Sequence, residues 1–315
     1  MIQGLSIKPL GAGGLEISGI DASRPLDPAL AKRLNALWLS YPVIYFPEAG
    51  DDPEAHLRLS EVFGTLAPHA MPKIRHPDHD KLIRMSWNTR TEEEPGSIHG
   101  ALFSMNGEPA IGWLPWHKDG FFGQWPNQGS MLNPVTIAYA GGDTSFIDTT
   151  QVYDDLPEAM KRRIADLEIV FDPLSKDPPV RYGTLVSTGH IEQGETGVLN
   201  KHNRATRATS IAQKLVDTHP LSGAPIMNLT SLFGPIILGM DRQESDELLG
   251  ELLTIAEQPK YVYRHKWRAG DLVLWDNWRC LHTVDPHPAD ATREMHRSTI
   301  GMDAPMGRVM TEDAG

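Results

Sequence analysis

The sequence predicts a mainly β fold with flanking helices, and three observations point there. The 315-residue chain carries 28 glycines and 25 prolines, the residues that punctuate turns. Its apolar residues recur mostly in short alternating runs, the period of a strand with one buried face. Only a few stretches have the spacing of an amphipathic helix, most of them with a recognisable start signal.

Leu5-Ser-Ile-Lys-Pro-Leu10 and Leu15-Glu-Ile-Ser-Gly-Ile20 alternate like strands around the turn Gly11-Ala-Gly-Gly14, which makes an opening hairpin. The glycine cluster lacks the spacing and the following helix of a phosphate loop. Asp27-Pro28 starts a helix with an acceptor side chain followed by proline in the first turn. Leu30, Leu34, Leu37 and Trp38 form its apolar face. Val43-Ile-Tyr-Phe46 reads as a short buried strand, and a second helix is expected from about Pro53 to Phe63, ending at Gly64. Residues 66–110 alternate loop with a weak strand, Leu82-Ile-Arg-Met85, and contain His69, His76, His79 and His99. Long loops of this kind often cover a site or line its mouth.

Gly129 to Ile147 reads as strand, turn, strand, with Gly141-Gly-Asp-Thr144 as the turn. A helix is expected from Asp155 to about Leu167, and residues 172–210 are irregular and polar, a candidate lid insertion. Ser245 is expected to cap a helix carrying Leu248, Leu249, Leu252, Leu253 and Ile255. Strands at Tyr261–Trp267, Asp271–Trp275 and Ser298–Gly301 follow. With no internal repeat and no Pro- or Ser-rich linker, residues 1–315 read as a single domain.

The formal charge of −12 argues against a nucleic-acid partner, which needs a basic footprint. It is compatible with an anionic small-molecule substrate, because a few local arginines can dominate a pocket. No apolar run approaches the roughly 20 residues of a membrane span, so no membrane partner is expected. The N-terminal residues lack a basic region followed by a hydrophobic core, and the single cysteine, Cys280, forms no intrachain disulfide. Both point to a cytoplasmic protein. Exposed tryptophans or an outer helix could serve a homo-oligomer interface.

The chemistry centres on Trp113-Leu-Pro-Trp-His-Lys-Asp-Gly-Phe-Phe122. In an extended segment His117 and Asp119 point to one face, which suits neighbouring positions around a metal. The strand Leu272-Val-Leu-Trp275 runs into Asp276-Asn-Trp-Arg-Cys-Leu-His282, and His282 supplies a third candidate ligand. Two histidines and one carboxylate on one face of an octahedral ion leave three positions open, which suits non-haem Fe(II) and activation of dioxygen. Zinc could use the same residue types, but no water-activating base for hydrolysis is apparent. Arg293 and Arg297 follow in Arg293-Glu-Met-His-Arg-Ser-Thr299. A guanidinium that close to a ligand histidine suggests a bound carboxylate cosubstrate.

His117-x-Asp119, Gly141-Gly-Asp-Thr144, Trp275-Asp-Asn277 leading to His282, and Arg293 with Arg297 resemble, in that order, the taurine dioxygenase family of Fe(II)/2-oxoglutarate-dependent dioxygenases. The opening hairpin resembles that family's N-terminus too, so the resemblance covers nearly the whole chain. It implies a double-stranded β-helix, a jelly-roll core with helices outside. It implies iron on His117, Asp119 and His282, with 2-oxoglutarate and O2 as cosubstrates. Arg293 and Arg297 flank the cosubstrate, whose distal carboxylate pairs with Arg297 and accepts a hydrogen bond from Thr144. The reaction it implies yields succinate and CO2 and hydroxylates an aliphatic carbon of a small molecule. Desaturation, cyclisation or oxidative decarboxylation by the same oxidant is the alternative, and a non-catalytic metal-dependent binding protein is a further one. The carboxylate at Asp119 argues against halogenation, for which related enzymes carry a small residue there.

The chain departs from the family pattern in two places. Trp278 stands where the family's Trp-Asp-Asn-Arg has arginine, with Arg279 one place later, which shifts a charge near the metal strand. Of the taurine-contacting positions only His69 matches, while Trp113, Pro72 and Ser231 stand where that pocket offers asparagine, tyrosine and phenylalanine. Trp113, Trp116, Phe121 and Phe122 therefore suggest a bulkier, more apolar substrate than taurine, contacted by His69, Trp113, Trp116, Phe121 and Ser231.

Overall fold

The computed structural model describes residues 5–50, 52–68, 72–88, 97–99, 103–105, 107–171, 180–183, 191–193, 210–232, 234–301 and 305–310. Two facing sheets hold the site. The larger has eight strands, in the spatial order Ser6–Gly11, Gly14–Ser18, Val43–Phe46, Leu272–Asp276, Gly129–Thr136, Arg293–Ile300, Leu82–Asn88 and Ser97–His99. The smaller has four, in the order Val262–His265, Thr144–Asp148, Cys280–Val284 and Leu114–His117.

From Leu114 onward the chain passes repeatedly between these sheets. The strand 114–117 is in the smaller, 129–136 in the larger, 144–148 in the smaller, 272–276 in the larger, 280–284 in the smaller and 293–300 in the larger. That winding is the jelly roll, the double-stranded β-helix expected from the resemblance. The inner faces share one core. Val43, Leu132, Val273, Trp275 and Met295 come from the larger sheet, Phe146 and Cys280 from the smaller, and Trp267 from the loop that joins them.

Helices seal the outer faces. Helices Pro28–Ser40 and Pro53–Glu61 start where Asp27 and Asp52 accept hydrogen bonds from first-turn N–H groups, each with proline in the first turn. Leu34, Trp38 and Leu59 pack from them onto Leu15, Ile17, Met131 and Leu274 of the larger sheet. Helix Arg242–Ala256 lays Leu248, Leu249, Leu252 and Leu253 in the cluster that holds Trp116, Ile147 and Leu281 of the smaller sheet. Each such leucine contributes roughly 1.5–3 kcal/mol by burial.

Four expectations are corrected. The helix expected over Asp155–Leu167 is two, Thr149–Asp155 and Glu158–Ile164. Pro157 disfavours helical geometry at the residue before it, and Leu156 is extended with ψ 143°. Asp241, not Ser245, caps the helix at 242–256; its carboxylate accepts from Glu244 N at 2.9 Å, while Ser245 Oγ accepts from Ile237 N at 2.8 Å. The strand expected at Ser298 begins at Arg293, which places both arginines on it. The weak strand at Leu82 runs on to Asn88. Most of the candidate lid, 172–210, lies outside the described residues, and so does His69. Among the described residues no helix is long and apolar enough to cross a membrane.

Candidate active site

Strand alternation and register bring the first three residues together. His117 ends strand Leu114–His117, and His282 lies directly opposite it on the antiparallel neighbour. Their ring centroids are 4.1 Å apart. Asp119, two residues beyond His117, lies 3.7 Å through Oδ1 from His117 Nε2 and 3.7 Å through Oδ2 from His282 Nε2. One candidate ligand atom from each residue falls within 4.8 Å of the others, and a common ion could hold all three.

The local chemistry fits a metal. His117 Nδ1 is 2.7 Å from Pro115 O, a carbonyl that only accepts, so Nδ1 donates there and Nε2 is the ring nitrogen turned toward Asp119. Burial, then the neighbouring His117, pushes the His282 imidazole well below its usual pKa, so it is neutral and able to ligate. Burial pushes the Asp119 carboxyl up, but the Arg297 guanidinium and the two imidazoles outweigh it and hold it well below the usual carboxylate range. The site thus offers a neutral His282 imidazole and an Asp119 carboxylate anion at neutral pH, with His117 Nε2 beside them.

Asn277 holds the carboxylate residue from the backbone side. Its Oδ1 accepts from Asp119 N at 2.8 Å, and its Nδ2 donates to Asp119 O at 2.9 Å and Asn127 O at 3.0 Å. The turn that carries Asn277 is itself pinned. Asp276 Oδ2 is 2.8 Å from buried His219 Nε2, and Lys118, turned away from the ligands by strand alternation, donates to Trp278 O at 2.6 Å. Desolvation pushes Lys118 down to about 7. Sequence reasoning placed Asn277 and Lys118 inside the motifs without assigning either a task. The signal was a polar residue in the turn directly before the strand of His282.

The two arginines occupy different places on one strand face. Arg297 Nη1 donates to Asp119 Oδ2 at 2.7 Å, so it sits beside the candidate metal ligands. Arg293 is buried, donates through Nε to Gly142 O at 3.0 Å, and leaves Nη2 without a partner among the described residues. Desolvation lowers Arg293 to about 10, still protonated at neutral pH. Gly142 has φ +72°, and a Cβ there would stand 2.9 Å from Arg293 Cδ, so glycine permits the approach. Two residues on, Thr144 is buried and its Oγ1 accepts from Trp267 Nε1 at 3.1 Å.

The substrate-side candidates separate. Alternation turns Trp116 away from His117, and it packs at 2% exposure in the cluster of Leu248 and Leu252. Phe121 is in the same cluster, and Ser231 N donates to Trp116 O at 2.9 Å behind the strand. All three are buried, and Trp116 faces the core because a side chain adjacent in sequence to a strand residue points to the opposite face. Trp113 is half-buried just before the ligand strand, and Phe122 is half-buried. Pro72 is exposed. Arg279 pairs bidentately with Asp148 at 2.7 and 2.6 Å and donates to Leu39 O, so its charge is already engaged.

The family description "Taurine catabolism dioxygenase TauD, TfdA family" matches residues 6–299. The chain belongs to this family. It is 34% identical over 296 residues to an alpha-ketoglutarate-dependent 2,4-dichlorophenoxyacetate dioxygenase of Burkholderia sp. (strain RASC), covering 93% of this chain and 92% of that protein. It is 28% identical over 314 residues to an (S)-phenoxypropionate/alpha-ketoglutarate-dioxygenase of Delftia acidovorans, covering 98% of each chain. Its fold is similar to that of a taurine dioxygenase from Burkholderia xenovorans, with a TM-score of 0.71 at 23% identity over 98% of this chain and 97% of that one. It is also similar to AAD-2 in complex with Mn(II) and N-oxalylglycine, with a TM-score of 0.70 at 25% identity over 96% of this chain and 99% of that one. This family member is an Fe(II)/2-oxoglutarate-dependent dioxygenase that uses O2 and acts on a small molecule.

Proposed function

We propose that the enzyme hydroxylates an aliphatic carbon of an organic anion with an apolar body, converting 2-oxoglutarate to succinate and CO2. The observation that carries this reading is the division of labour between the two arginines around the His117–Asp119–His282 cluster.

His117, Asp119 and His282 hold the iron. When bound, the iron and its cosubstrates supply an oxidant able to take hydrogen from an unactivated C–H bond. Arg293, with its unpartnered Nη2, and Thr144 hold the distal carboxylate of 2-oxoglutarate. Thr144 lies two residues along its strand from Phe146, which faces His282. At roughly 3.4 Å per residue that offset is about 7 Å, a span suited to a five-carbon diacid whose keto-acid end meets the metal. This assignment moves the distal carboxylate from Arg297, where the resemblance put it, to Arg293. Arg297 faces the substrate side, where an incoming anion competes with Asp119 for its guanidinium. Trp113 and Phe122 are the aromatic candidates for the substrate's apolar body, and His69 remains a candidate contact.

Relatives named for 2,4-dichlorophenoxyacetate, for phenoxypropionate and for alkyl sulfates suggest the substrate class. It is a carboxylate or sulfate whose attacked carbon bears an oxygen. Hydroxylation there gives a hemiacetal-type product that separates into an alcohol, phenol or sulfate and a carbonyl compound. The test is a panel of aryloxyalkanoates, alkyl sulfates and taurine, read by succinate formation and product mass. Substrate-dependent succinate with products one oxygen richer, or their cleavage fragments, is the expected result. A product lacking two hydrogens and gaining no oxygen would place the enzyme with the desaturating or cyclising alternatives. Succinate release with none of these anions would overturn the substrate class.

A further inference from the structure

We propose that Trp267 is a positioning residue that makes the Thr144 hydroxyl a one-way donor toward the distal carboxylate of the cosubstrate. The proposal rests on the role given above to Thr144 and Arg293.

The argument begins with donor and acceptor inventories. An indole N–H can only donate, whereas a threonine hydroxyl both donates and accepts. Trp267 Nε1 is 3.1 Å from Thr144 Oγ1, so the hydroxyl is the acceptor of that bond. Its own proton must then point elsewhere. Among the described residues no acceptor takes it, and Arg293, with a free Nη2 donor, folds over Gly142, two residues before Thr144. The pocket therefore presents an O–H and a guanidinium N–H together. A neutral or cationic group gains little from that pair, while a carboxylate accepts from both. With Trp267 absent, the hydroxyl can rotate and present its lone pairs instead.

The indole is held by a buried polar network. The His265 ring meets the Trp267 ring edge-on, with centroids 4.5 Å apart at 76°. His265 Nε2 lies 3.0 Å from Asp271 Oδ2, and Tyr263 Oη lies 3.1 Å from His265 Nδ1. Asp271 also accepts from Tyr45 Oη at 2.8 Å and from Arg268 N at 2.8 Å, which closes the loop from Trp267 back to strand Leu272–Asp276. A fully buried carboxylate with three donors has a single satisfied arrangement. The loop, and with it the indole N–H, is fixed before any ligand arrives.

The test uses the Mn(II)-loaded protein under anaerobic conditions, with binding of 2-oxoglutarate and of oxalate measured by calorimetry. Oxalate chelates the metal but is too short to reach Thr144. Trp267→Phe and Trp267→Tyr both keep an aromatic ring and remove the indole N–H, so either folded variant suffices. The expected result is 2-oxoglutarate affinity weakened about fivefold, as for loss of one neutral hydrogen bond, with Mn(II) and oxalate affinity unchanged. Thr144→Val should weaken 2-oxoglutarate about tenfold or more, and Trp267→Phe added to it should cost nothing further. Equal losses for oxalate and 2-oxoglutarate, or Trp267 and Thr144 effects that multiply, would overturn the proposal and leave Trp267 a packing residue. If Thr144→Val binds 2-oxoglutarate like the parent, the assignment of Thr144 itself is wrong, and the Trp267 proposal falls with it.

Discussion

Arg297 Nη1 lies 2.7 Å from Asp119 Oδ2, so a guanidinium neutralises the same carboxylate that stands among the candidate metal ligands. Metal and arginine are thereby alternative partners for one desolvated charge. In the metal-free protein, Arg297→Met should destabilise the fold by on the order of 2–3 kcal/mol, because an ionised and largely buried carboxylate loses its counter-charge. With Mn(II) bound the loss should shrink, since the ion supplies that charge. Thermal melts of parent and variant with and without Mn(II) test this. An equal loss in both states would show that Arg297 stabilises through packing instead.

His117→Ala, Asp119→Ala and His282→Ala should each abolish turnover and reduce Mn(II) binding by at least about 100-fold. Three ligands are few, and the loss of one removes a full coordinate bond. Mn(II) binding followed by electron paramagnetic resonance gives a readout that does not depend on substrate. Retained metal affinity in any of the three would remove that residue from the ligand set.

Arg293→Gln should raise the KM for 2-oxoglutarate by about 10- to 150-fold, the range for losing one charge-assisted hydrogen bond of about 1.5–3 kcal/mol. Arg297→Gln should act mainly on the KM of the primary substrate. Steady-state kinetics with each substrate varied separately resolves the two. The reverse pattern would return the distal carboxylate to Arg297.

Trp116→Ala should cost about 3–5 kcal/mol in stability through the cavity left beside Leu248 and Leu252. Trp116→Phe should leave the substrate KM within about twofold, because the ring faces away from His117. Denaturant melts and kinetics on the two variants check both statements. A large KM change in the phenylalanine variant would restore Trp116 to the substrate pocket.

Stability should fall on mild acidification. Desolvation, then the nearby His296, lowers His56 to about 3, and desolvation followed by the neighbouring His76 lowers His296 to about 4. Both are neutral in the fold and would ionise near 6.5 once unfolded. Their contribution is therefore complete above about pH 6.5 and is lost progressively as pH falls through the folded-state values. The melting temperature should begin to drop between pH 6.5 and 5, before most carboxylates titrate, and His56→Gln should flatten part of that slope. A melting temperature level from pH 7 to 5 would contradict it.

Local chemistry made much of this protein legible in one dimension. Asp27-Pro28 announced a helix start, the alternation of Leu5–Leu10 announced a strand, and His117-x-Asp119 announced two candidate ligands on one face, because each depends on neighbours a few residues away. His282, Arg293 and Arg297 were visible as residue types at telling positions within an ordered set of motifs. Their tasks depended on register and on strand winding, which no local pattern contains. The pairing of His282 with His117 across two strands brings the candidate metal ligands together. The extension of strand Arg293–Ile300 back to Arg293 separates the two guanidinium groups, one against Asp119 and the other over Gly142. Trp116 turns into the core beside Leu248 and Leu252 because adjacency in sequence means opposition on a strand. Trp267 was passed over because its partner Thr144 lies 123 positions away in the chain and meets it only between the two facing sheets. By itself, then, the sequence determined the ligand types and the order of the elements. The tertiary structure decided which charged group faces which, because packing two sheets face to face selects partners by space and not by sequence distance.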